Sequence, residues 1–145
     1  MRTIHVLRLA SLVELLLALG HGIGAPWTPA QSSAARAVVD AMQGVHFDVG
    51  ASRSYFDFYR GFGWMLEAYL LGHTVLFWQL GTLAARQPDA VRPLLLVLVL
   101  ESAALTALAA RWLFVIPVAF SATITALLLW ALGSLARSAR PAASA

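Results

Sequence analysis

Residues 94–110 read LLLVLVLESAALTALAA, seventeen residues with one charge among them, Glu101. As a helix this run covers about 25 Å at 1.5 Å per residue, close to the roughly 30 Å hydrocarbon thickness of a bilayer. Arg92 and Pro93 precede it, and Arg111 and Trp112 follow it. Those residue types mark the edges of a membrane span. The run is apolar on every side, so it has no polar face to turn toward water. It is read as a transmembrane helix, and this reading decides the fold.

Three further runs fit the same description. The first extends from about Val6 to Ile23, the second from about Phe62 to Ala85, and the last covers 115–135. Pro117 suits the first turn of the last helix, where its missing N–H is not needed. Arg2 and Arg8 ahead of the first run resemble the start of a signal peptide. Glu14 interrupts the apolar stretch, however, and the run ends in Gly20-His21-Gly22-Ile23-Gly24 without a clean small-x-small cleavage site, so a retained span is expected. The expected fold is all-α: a polytopic four-helix membrane bundle formed by one transmembrane domain over residues 1–136, with a disordered tail over 137–145.

Composition agrees. The chain has 145 residues, 60% of them hydrophobic and 12% charged, with a mean hydropathy of +0.76. A soluble domain is usually about 45–50% apolar. There is no cysteine, which excludes disulfides, thiol redox centres and cysteine-ligated metals. The net charge of +3 comes with ten arginines and no lysine. Six of these, Arg2, Arg8, Arg86, Arg92, Arg137 and Arg140, flank the spans on one side, so membrane topology explains them and no nucleic-acid partner is expected. The same asymmetry places both termini in the cytoplasm, and the Ala/Leu/Arg-rich usage points to a bacterial inner membrane.

The exterior loop, 24–61, is the longest polar section. Pro26, Trp27 and Pro29 read as a surface turn. Ala34, Val38, Ala41 and Met42 recur at helical spacing. Ser32 or Ser33 is the expected cap and Gly44 the expected end of a short helix lying on the membrane interface. The aromatic run from Tyr55 to Trp64 reads as an interfacial belt leading into the second span. Arg86, Pro88, Asp89, Arg92 and Pro93 read as a short charged loop before the third span.

A charged, unpaired carboxylate at mid-membrane costs at least about 2.5 kcal/mol, and three spans carry one: Glu14, Glu67 and Glu101. Counting from the span ends puts Glu14, His73 and Glu101 at one level, with Glu67 and His21 nearer the exterior and Asp57 and Arg60 at the mouth. Ser11, Glu14, Ala18 and His21 share a stripe of the first helix. A polar cleft open to the exterior is expected. Candidate acid–base residues are Glu67, His73 and Glu101. Candidate ligand contacts are Glu14, His21, Asp57, Arg60, Trp64 and Tyr69. Structural roles stand beside these: Glu67 paired with Arg60 or Arg53, His73 bonded to Tyr69 or a glutamate, and the aromatics as membrane anchors. No two histidines have the i, i+4 spacing of a helical metal motif, so no metal is assigned, and the cofactor question stays open at this point.

Three functions fit this pattern. The leading one is binding of a lipophilic small molecule or membrane lipid. The second is acid–base catalysis, an isomerase or cyclase, on a sterol-, quinone- or terpene-like substrate. The third is service as an accessory subunit of a membrane complex. Gly and Ala faces also allow a homodimer. In size, span number and polar residues in the first two helices, the chain resembles small bacterial four-helix membrane proteins such as the DoxX-like group. That resemblance implies the four-helix fold and no particular chemistry.

Overall fold

In the computed structural model the described residues are 3–24, 28–48 and 50–138, and they are overwhelmingly helical. The order is α1 (Thr3–Gly24), α2 (Ser33–Gly44), β1 (His46–Asp48), β2 (Ser52–Ser54), α3 (Tyr55–Ala84), α4 (Pro88–Trp112) and α5 (Val115–Ser138). Among these, α1, α4 and α5 are long and apolar enough to cross a membrane. The 30 residues of α3 include Glu67, His73 and Gln79, and α3 is not one of those three. The expected surface turn at Pro26 and Trp27 falls outside the described residues, as do residues 139–145 of the expected tail.

The chain divides into two compact units, Met1–Leu17 with Leu71–Ala145, and Ala18–Leu70. In the first unit α4 and α5 form an antiparallel hairpin turned by Leu113 and Phe114. Leu113 N–H closes α4 by donating to Ala109 O at 2.8 Å. Leu95, Leu98 and Val99 of α4 share a buried core with Ile124, Leu128 and Ala131 of α5, joined by Val6, Leu7, Phe77 and Leu80. Outside that core the surface stays apolar: Leu12, Leu16, Leu96, Val97, Leu100 and Leu129 are all exposed. Exposed apolar surface of this extent suits an apolar surrounding.

Polar contacts between these helices are few and specific. Ser102 Oγ and Thr125 Oγ1 lie 2.7 Å apart, and Thr106 Oγ1 lies 3.2 Å from the same Thr125 oxygen. Thr106 also donates to Ser102 O, and Thr125 to Ser121 O, both at 2.8 Å. Ser11 Oγ of α1 donates to Thr74 O of α3 at 2.6 Å. Lower on the same pair of helices, a Cβ added at Gly81 would stand 3.3 Å from Ile4 O and 3.4 Å from Leu7 Cβ. Glycine is what lets the two backbones approach there. Arg8 runs beside this crossing and holds its guanidinium carbon 4.7 Å from the Trp78 ring centroid.

Pro88 is helical, and α4 begins there rather than after the expected charged loop of residues 86–93. Proline suits the first turn because its absent N–H has no helical acceptor. Pro93 removes one later hydrogen bond, which the helix tolerates.

In the second unit Ser32 caps α2, its Oγ accepting from Ala35 N–H at 3.1 Å. No residue of α2 is buried, Val38 included. A two-stranded antiparallel hairpin follows, pairing His46 with Ser54, Phe47 with Arg53 and Asp48 with Ser52. Sequence patterning does not anticipate it, because three-residue strands are too short to display alternation. Gly50 turns the hairpin at φ +84°, a conformation glycine adopts without a Cβ clash. The aromatic run after the hairpin is helical from Tyr55 onward, so α3 starts seven residues before the expected span.

Candidate functional site

Three helices of the first unit bring Glu14, His73 and Glu101 together. His73 Nδ1 lies 3.9 Å from Glu14 Oε1, and His73 Nε2 lies 3.7 Å from Glu101 Oε2. The imidazole thus stands between two carboxylates, one from α1 and one from α4. Both separations exceed a direct hydrogen bond, so a small adjustment or an inserted polar atom is needed to close either contact. Exposure rises across the cluster: the side chains are 5% exposed at Glu14, 17% at His73 and 39% at Glu101. Below it, the Phe77 ring lies 5.4 Å from the His73 ring and is itself buried, which limits how the imidazole can turn. Ser11 and Thr74, neighbours of Glu14 and His73 on their helices, tie α1 to α3 at this level.

The arrangement offers two carboxyl groups and one imidazole, each of which donates or accepts according to its protonation. It is suited to holding a hydroxyl, carbonyl or amine, or to moving a proton between its members. Among the described residues no three His, Asp or Glu side chains converge closely enough to hold a metal ion.

The second unit contains a separate pair. His21 Nδ1 and Glu67 Oε2 are 2.9 Å apart, and both side chains are about six-sevenths buried, at 16% and 15% exposure. A Cβ at Gly22 would lie 3.3 Å from Glu67 Oε1, so the glycine beside His21 gives the carboxylate its seat. Glu67 therefore meets a histidine of α1, not the Arg60 or Arg53 that sequence proximity offers. Arg60 instead places its guanidinium carbon 5.9 Å from the Phe56 ring centroid, and Arg53 Nη1 donates to Ser52 O at 3.4 Å.

Asp57 has a local role. Its Oδ2 accepts from Ser54 N–H and from Ser54 Oγ, both at 2.9 Å, while Asp57 N–H donates to Ser54 Oγ at 3.1 Å. This is a reciprocal cap at the start of α3. The bond from Ser54 N–H, then that from the Ser54 hydroxyl, holds the Asp57 carboxyl below its ordinary value of 3.8, and the charges of Arg53 and His46 add to the effect. The sign follows: a carboxyl with a lowered value lends its stability above pH 3.8 and loses it as pH falls through the lowered value. Ser54→Ala is expected to cost about 1 kcal/mol and to remove that acid-side decline. Amide exchange of residues 54–58 across pH 2–6 checks this, and identical profiles for variant and parent would refute it.

Trp64 is exposed and Tyr69 half-buried on α3. Nearby, Phe47 of the hairpin packs 5.1 Å from Tyr55 and 5.0 Å from Phe58, ring centre to ring centre, and Phe58 packs 5.6 Å from Phe62. This cluster fastens the hairpin to the first turns of α3.

The polar stripes of the first two spans already held Ser11 and Thr74, but no role was legible for them, for Phe77 beside the histidine, or for Ser102, the buried neighbour of Glu101. The available signal was a small hydroxyl inside an apolar span, a residue type favoured at helix contacts in membranes. Comparison with protein-family models, with curated proteins and with solved structures gives no match.

Proposed function

We propose that this is an integral membrane protein that binds a lipophilic small molecule or lipid, holding its polar group at Glu14, His73 and Glu101. The observation that carries the reading is the rise in exposure from Glu14 through His73 to Glu101, on helices whose outward surfaces are apolar. A polar group arriving sideways from the bilayer meets Glu101 first, then the imidazole, then the enclosed Glu14. Intramembrane ionisable residues are functional by default because their desolvation has to be offset by something.

In this reading α3 is the fourth span. Its support is the stretch 62–76, where Phe62, Met65, Leu66, Leu71, Val75 and Leu76 are exposed while Glu67, His73 and Thr74 are less so; beyond it Gln79 and Thr82 are exposed. The α2 helix, with none of its residues buried, lies on the exterior interface. The six arginines flanking the spans on one side set both termini in the cytoplasm of a bacterium.

The test is a purification from native membrane followed by native mass spectrometry and lipid extraction. The parent protein is expected to retain one lipophilic species beyond the bulk lipids. His73→Ala and Glu101→Gln are expected to weaken its retention about 10- to 100-fold, the value of a hydrogen bond to a charged group. Melting temperature and elution volume in detergent serve as the folding control. Equal retention by folded variants and parent, or no enrichment in the parent, would sink the proposal. Catalysis is the second reading, favoured by an imidazole flanked by two carboxylates, which is an acid–base arrangement. Chemical change of the retained species by the parent, absent in Glu101→Gln that still binds it, selects catalysis.

A further inference from the structure

Away from these carboxylates, α4 and α5 border a surface groove of about 530 Å³. Its walls are Arg92, Pro93 and Leu96 from α4, and Leu129, Gly133 and Ala136 from α5. The spacing of three and four residues on each helix makes the groove continuous along the helix pair. Gly133 and Ala136 keep one wall low, and every lining residue except Arg92 is apolar. Arg92 stands at the end of the groove where α4 begins and α5 finishes.

We propose that this groove is a binding site for an acidic phospholipid, with the phosphate on Arg92 and an acyl chain along Leu96 and Leu129. Three observations converge on that ligand. The open groove of about 530 Å³ has room for part of an acyl chain. Arg92 is exposed, and among the described residues the side-chain contacts of carboxylates with basic groups fall on His21 and His73, not on Arg92. The lining contains no carboxylate, so nothing there receives the cationic amine of a zwitterionic head, while a net-negative phosphate meets a matching fork of donors. Basic pockets between transmembrane helices near the cytoplasmic surface bind acidic head groups on the same physical grounds. The inference rests on membrane insertion of α4 and α5 and is independent of the polar cluster.

The test uses the full chain in nanodiscs of phosphatidylcholine containing a minor share of phosphatidylglycerol, with retained lipids counted by native mass spectrometry. The parent is expected to retain phosphatidylglycerol above its share of the disc. Arg92→Gln should lower that preference at least about fivefold, the weight of one arginine at an anionic membrane surface. Arg92→Lys should keep part of it, because the charge remains and the fork is lost. Gly133→Leu should release both lipids by filling the groove. Arg92 is exposed, so the two Arg92 variants decide the matter even if Gly133→Leu does not fold. Excess inorganic phosphate should leave the retained lipid in place. No preference in the parent, full preference in Arg92→Gln, or displacement by phosphate alone would each overturn the proposal. Loss of the lipid with ligand retention intact at His73 and Glu101 would show the two sites to be separate.

Discussion

Phe77→Ala is expected to lower stability by about 2 kcal/mol, and the size of that loss tests the surroundings of the protein as well as its core. Phe77 is 2% exposed and shares the core with Leu7, Leu80 and Leu128. In water, truncating a buried phenylalanine costs about 3–5 kcal/mol, the sum of a transfer contribution and a cavity contribution. For a helix that separates into lipid the transfer contribution largely vanishes, since the ring is as well solvated by acyl chains as by leucine. The cavity remains: a void on the order of 100 Å³ at about 24 cal/mol per Å³ gives about 2 kcal/mol. Unfolding in mixed micelles measures it. A loss above about 4 kcal/mol would mean that the separated helices face water, and a loss near zero would mean that the core relaxes into the void. The same substitution removes the ring beside His73, so retention of the lipophilic species should fall along with stability.

Gly81→Leu is expected to cost about 1–3 kcal/mol through overpacking, with Gly81→Ala costing less. The obstacle is the carbonyl oxygen of Ile4, 3.3 Å from the first added carbon, with Leu7 Cβ at 3.4 Å. Backbone cannot swing aside as the end of a long side chain can, so α1 and α3 must separate along their contact. The Ser11–Thr74 hydrogen bond lies on the same pair of helices and should lengthen as a result. Thermal unfolding of the purified variants, compared with Gly72→Leu as a control at a glycine with open space around it, decides the outcome. Equal losses at the two positions would refute the close crossing.

What the sequence disclosed and what it withheld follow from physical range. The helices α1, α4 and α5 are announced by long apolar runs broken by few polar residues, a pattern that suits lipid better than water. The Ser32 cap is a local bond and was readable as one. The start of α3 was also local, in Ser54 and Asp57, yet the density of aromatics drew attention from the cap to the membrane. The beginning of α4 was hidden by two prolines, which read as loop wherever the helix context is not already known. The β1–β2 hairpin has too few residues per strand to produce a pattern. Counting residues from span ends put Glu14, His73 and Glu101 at one depth, but it could not say which helix faces which. The meeting of Glu67 with His21, 46 residues away in the chain, depends on the packing of α1 against α3, and Arg60 was the neighbour that chain proximity alone could offer.

The hydroxyl ladder of Ser102, Thr106 and Thr125 has a consequence for motion. Sliding α4 past α5 by one turn, about 5.4 Å, does not strip Thr125 of a partner, because Ser102 and Thr106 stand four residues apart on α4 and one takes the other's place. Between those positions the interhelical contact opens while Thr106 and Thr125 keep the carbonyl acceptors on their own helices, so the ladder favours registers one turn apart. Glu101, adjacent to Ser102, moves with α4, so a one-turn change of register would carry its carboxyl group away from His73.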